Sequence, residues 1–119
     1  HIKKRGIMFK ITQSPEYTWP VNVDIPTDGG RTEKAQFDAK FRRLTQTRID
    51  EIRLAVERGE LRDADLAREA MVGWSGVTDE SGDVPYSEAA RDRLLDIPTV
   101  SAAIVMALLG SLSGARRKN

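Results

Sequence analysis

Between Val100 and Leu112 the chain sets ten apolar residues against only Ser101, Gly110 and Ser111. A helix that is apolar all round has no face to offer water and must be covered on every side. The stretch is too short for a bilayer, which needs about 20 apolar residues in a row. It is therefore expected as a central helix of a folded domain, and the rest of the chain has to supply the cover. A chain of 119 residues makes one domain with one modest core, and little of it is left to wrap a helix completely. Two arrangements stay open: a helix enclosed by its own chain, and a helix with one side left for another chain.

The covering elements follow from periodicity. Tyr17, Trp19, Val21, Val23 and Ile25 alternate with Thr18, Pro20, Asn22 and Asp24, which places the large apolar groups on one face of a strand. Pro20 donates no ladder hydrogen bond and points to an edge position or a bulge. Pro26-Thr27-Asp28-Gly29-Gly30 is turn chemistry, after which Ala35, Phe37, Ala39 and Phe41 alternate in the same way. The two runs predict an antiparallel hairpin with one dry face and one wet face. Ile7, Phe9 and Ile11 form a shorter alternating run, a candidate for a third strand.

After the hairpin the period becomes helical. Thr47-Arg48-Ile49-Asp50 fits a capping box, Ile49, Ile52 and Val56 make a stripe, and Gly59 gives a stop. A second helix is expected from an N-cap at Asp63, with Leu66, Ala70 and Trp74 on one stripe and Ala67 and Met71 beside it. Gly73–Tyr86, punctuated by Gly76, Gly82 and Pro85, reads as a loop or a second hairpin. Ser87 caps a short helix carrying Ala90 and Leu94, Ile97-Pro98 breaks it, and Thr99 caps the apolar helix, which Gly114 closes. The expected fold class is α+β: an N-terminal antiparallel hairpin, with room for a third short strand, then a bundle of about four helices. Residues 8–114 make the single domain, residues 115–119 a basic tail, and residues 1–7 an expression-derived or disordered leader, since Met8 opens the patterned sequence.

Composition narrows the function. Lysine and arginine number 19 against 18 aspartates and glutamates, and this balance lacks the basic excess of a dedicated nucleic-acid binder. Without cysteine, and with His1 as the only histidine, the chain has no thiolate metal site, histidine triad or central imidazole base. Gly73, Gly76 and Gly82 lack the lysine and the strand-to-helix setting of a phosphate loop. Asp79, Glu80 and Asp83 lack calcium-loop spacing and read as a solvated turn, a poor place to raise a carboxylate pKa for acid–base work. Asp50, Glu51, Arg53, Glu57 and Arg58 read as the wet face of a helix, and Lys40, Arg42 and Arg43 as the outer face of a strand. No enzyme, cofactor or metal is expected, and the opening residues do not form a secretory signal.

A wider order of motifs runs through residues 16–119. It begins with the W-x-V-x-V-x-I-P strand of Trp19–Pro26, Asp28-Gly29-Gly30, and Phe37-Asp38-Ala39-Lys40-Phe41-Arg42-Arg43-Leu44. Val72-Gly73-Trp74-Ser75-Gly76-Val77 follows, then Asp79-Glu80-Ser81-Gly82, Val84-Pro85-Tyr86-Ser87, Leu94-Leu95-Asp96-Ile97-Pro98 and the apolar helix. In this order the chain resembles the tail assembly chaperone family of long-tailed phages and prophages. The resemblance implies a non-enzymatic protein of the bacterial host cytoplasm that binds the tape measure protein and the major tail tube protein, self-associates, and is absent from the finished virion. It also implies a longer product made by ribosomal slippage near the gene's end, where Arg116-Arg117-Lys118-Asn119 lies. A structural virion protein of the head–tail connector type and a small nucleic-acid-binding phage regulator are the alternatives. The candidate protein-binding residues are Trp74, Ile104, Val105, Leu108 and Leu109. Trp74 has a second reading, as the side chain that closes the core at a helix end.

Overall fold

The computed structural model describes residues 8–113, and in it the first alternating run becomes strand β1, Glu16–Thr27. Gly29 and Gly30, at φ +80° and +75°, turn the chain through a conformation that side chains disfavour, and β2, Arg31–Arg42, returns antiparallel. Trp19 pairs with Ala39, Val21 with Phe37 and Tyr17 with Phe41, so the inward face of the hairpin is built in register. Val21, Val23, Phe37, Ala39 and Phe41 are buried. Ile25 and Ala35 continue the alternation but are exposed, because the far end of the hairpin runs past the core.

The third strand of the sheet is not the one near the start of the chain. Met8–Pro15 form no strand, Phe9 and Ile11 stand in solvent, and Ile7 lies outside the described residues. The run is short, Ser14-Pro15 interrupts it, and its root is bonded to the far end of β2 instead. There the Arg43 N–H donates to the Pro15 carbonyl at 2.9 Å, and Arg43 Nε donates to the Ser14 carbonyl at 2.7 Å. The strand order is β1-β2-β3, with β3, Met71–Ser75, taken from the segment expected to finish the second helix. That helix, α2, covers only Asp63–Ala70; Met71 is already extended, with φ −90° and ψ 121°. Val72 and Trp74 favour strand, Gly73 disfavours helix, and β2 offers an unpaired edge. Gly73 also fits close backbone packing, since a Cβ there would meet the Lys40 side chain at 3.4 Å.

The first helix, α1, spans Gln46–Glu57. Its cap is Thr45, whose hydroxyl accepts the Arg48 N–H at 3.1 Å, and not Thr47. Asp50 does not reach back to close the expected box, because Gln46 Nε2 donates to it at 2.9 Å. Gly59, at φ +69°, ends the helix as expected, with Glu60 N–H to Ala55 O at 2.9 Å and Gly59 N–H to Val56 O at 3.1 Å. A two-residue hairpin, β4 Thr78–Asp79 and β5 Gly82–Asp83, occupies the glycine-rich segment. Ser87 caps α3, Glu88–Leu95, by accepting the Ala90 N–H at 3.0 Å.

The apolar helix is α4, Val100–Ser113, set at 103° to α3 across the Ile97-Pro98 break. Thr99 does not cap it by its side chain. Its hydroxyl donates to the Asp24 carbonyl at 3.3 Å, tying the start of α4 to β1, and the residue takes φ +74°. Gly114 lies outside the described residues. Val100, Ile104 and Leu108, one turn apart, pack on the inner face of the sheet and against α2. Of the two arrangements left open, the helix is not the one enclosed by its own chain: Met106 is 69 % exposed and Leu109 50 %. A sheet on one side and α2 on another leave the flanks of α4 uncovered, as a domain this small allows. Among the described residues no single helix is long and apolar enough to cross a membrane.

Candidate protein-docking groove

The stripe of α1 meets the uncovered flank of α4 without closing on it. Ile52 is the one residue of α1 that reaches the core; Ile49 and Val56 stand to either side of it with their apolar surface turned toward Val105, Leu109 and Leu112. The result is a groove of about 360 Å³, with the buried Leu66 and Leu108 as its floor and Leu44 also in its lining. Arg53, Glu57 and Asp63 are the charged residues of its lining. Apolar walls with a charged rim suit an apolar segment of protein, because the walls gain by leaving water while the rim stays wet.

An ion pair holds the α1 wall in place. Arg48 Nε and Nη2 each donate to one Glu69 carboxylate oxygen at 2.6 Å, and Arg48 Nη1 donates to Glu51 at 3.0 Å. Two parallel bonds fix orientation as well as charge, so the fork sets the angle of α1 to α2. The hydrogen bonds from Arg48 hold the Glu69 carboxyl below the usual glutamate range, against the smaller opposing effect of its partial burial.

The five candidate residues separate into three places. Ile104 is fully buried and packs the core, and Leu108, almost as buried, is the floor of the groove. Val105 and Leu109 form the α4 wall and are open to a partner. Trp74 lies apart, over the small hairpin: its Nε1 donates to the Val84 carbonyl at 2.8 Å, and Tyr86 meets its ring edge-on at 5.0 Å between centroids. Tyr86 in turn donates to the Met71 carbonyl at 3.2 Å. These contacts use both the polar tip and the face of the indole to fasten the hairpin to β3. The structure therefore brings Val105, Leu108 and Leu109 together and leaves Trp74 out.

Leu44, Ile49, Val56 and Leu112 belong to the groove and were not singled out by the sequence. For Ile49 and Val56 the signal was the α1 stripe, which reads the same whether its residues enter a core or border a cleft; Leu44 lies just before that helix, and Leu112 lies on the uniformly apolar α4. A second hollow, of about 370 Å³, lies where Trp19 and Pro20 of β1 meet Ala103, Met106, Ala107 and Gly110 of α4. Asp79, Glu80 and Asp83 are all exposed, and Asp79 accepts the Ser81 N–H at 2.8 Å. Among the described residues no three histidines, cysteines or carboxylates are grouped to hold a metal, and no polar side chain is buried. No family model, no curated protein and no solved structure matches this chain.

Proposed function

We propose that this chain is a non-enzymatic phage tail assembly chaperone, which binds the tape measure protein and tail tube subunits in the host cytoplasm during tail assembly. The observation that carries the reading is the groove along α4, an apolar cleft with charged residues at its border and Val105 and Leu109 accessible on one wall. The order of sequence motifs supports it from the other side, since it resembles that family. A long helical tape measure protein exposes apolar surface until tube subunits enclose it, and a groove of this kind covers such a segment meanwhile.

Co-expression tests the reading. The chain should raise the soluble fraction of the tape measure protein from the same genome, and Val105→Asp or Leu109→Asp should abolish the gain, because a carboxylate on the wall must be desolvated by an apolar client. A tape measure protein whose solubility is unchanged by the unaltered chain removes the proposal. Purified virions should lack the chain; its presence there in stoichiometric amount would favour a structural role such as a head–tail connector.

A further inference from the structure

Met8, Phe9 and Ile11 are 86–91 % exposed, three large apolar side chains within four residues of one another. Water disfavours such a segment, and an apolar groove lies close by. We propose that this arm folds back in cis into the groove between α1 and α4, seating Phe9 and Ile11 against Leu44, Val105 and Leu109, and that a client gains the groove by displacing it. The displacement rests on the docking function proposed above; the seating of the arm does not.

The arm's root is fixed beside the groove. Ser14 and Pro15 are held by the two hydrogen bonds from Arg43, whose neighbour in sequence, Leu44, lines the groove. Phe9 already borders a hollow that it shares with Leu44 and Leu112, and both of these residues also line the groove. The two depressions thus share part of their lining. From Leu112 to Val105 the α4 wall runs about 10 Å. The chain from Ser14 to Phe9, extended, covers about 16 Å, enough to lie along that wall without strain. Once the Gln13 side-chain bond to the Lys10 carbonyl opens, an extended arm sends Phe9 and Ile11 to one face and Met8 and Lys10 to the other. Lys10 then faces water near Glu57 and Asp63 of the groove's border, where Arg53 is the one basic residue among the described lining. The tether favours the arm's own groove over that of a second copy, because it keeps the effective concentration of the arm high.

The chain contains no cysteine, so an introduced pair reports without background. Ile11→Cys with Leu109→Cys, treated with diamide at low micromolar protein, should give an internally cross-linked single chain. Ile11→Cys with Ser81→Cys, on the distant small hairpin, should give far less. Disulfide-linked dimers in place of the internal product, or equal yields for the two pairs, would overturn the proposal. A second measurement needs no cross-link. In Phe9→Ser/Ile11→Ser, binding of anilinonaphthalene sulfonate should rise roughly twofold as the apolar walls open. A fall would mean that the arm was itself the exposed apolar surface, and would also overturn it. Client solubility separates the two proposals: a cross-link that forms while the tape measure protein stays insoluble retains the arm and removes the client. Solubilisation without the cross-link does the reverse.

Discussion

Thr99 carries a positive φ of 74° on a β-branched side chain, in a region that costs an L-residue roughly 1–2 kcal/mol. Its hydroxyl bond to Asp24 fastens α4 to β1 and gives the conformation a purpose. Asparagine tolerates positive φ and has an amide to donate in the same direction, so Thr99→Asn should raise stability by about 1 kcal/mol in chemical denaturation. Ile104 and Leu109 make the opposite comparison. Ile104→Ala leaves a void in a closed core and should cost about 2–5 kcal/mol. Leu109→Ala, half in water already, should cost under about 1 kcal/mol while weakening any partner at the groove. Nothing in the sequence tells these two residues apart. A helix apolar on every side carries no amphipathic signal to separate inside from outside, and only the packed sheet and α2 decide it. Trp74 was legible as a side chain that packs against the core, but the strand and small hairpin it joins were not, because the pairing of β3 with β2 is distant in sequence.

At the scale of the element, α1 is the part held most lightly, since Ile52 alone joins it to the core and the Arg48–Glu69 fork supplies the orientation. Amide exchange should therefore be faster across α1 than across α2 or α4, and faster again in Glu69→Gln. The same variant gives a pH test. Because the folded carboxyl titrates below its unfolded value of about 4.3, its contribution is complete above that value and disappears as pH falls through the lowered one. The stability difference between the unaltered chain and Glu69→Gln should be present at neutral pH and vanish in acid; a difference that persists in acid would mean that packing, not the ion pair, holds α1. The elements themselves were largely legible. The hairpin, the Gly59 stop, the Ser87 cap and the Ile97-Pro98 break all follow from local chemistry that the fold leaves intact. The switch from α2 to β3 at Met71 did not, because Leu66, Ala70 and Trp74 fit a helical stripe and the competing partner, the open edge of β2, is distant in sequence. The Thr45 cap was missed for a related reason: two threonines two residues apart offer the same bond, and the local sequence does not choose between them.

For the whole molecule, the flank of α4 away from the groove has no cover of its own: it holds the hollow between Trp19 and Met106, and Met106 is exposed there. Apolar surface on that side of the helix argues for self-association. Light scattering at micromolar concentration should give a mass above that of one subunit; a single-subunit mass across a dilution series would count against it. The placement of α4 also has a consequence for synthesis. Tyr17, near the start of the described chain, shares a 2.7 Å hydrogen bond with Ser111, 94 residues later, and the apolar face of the hairpin is sealed by Ile104 and Leu108. A growing chain thus makes its sheet early and its cover last. Until α4 leaves the ribosome, Val21, Phe37 and Phe41 lack the cover of Ile104 and Leu108, so the nascent hairpin must wait for nearly all of the described sequence before the core can close. Whatever follows Ser113 in translation lengthens the time available for that closure while the chain is still attached.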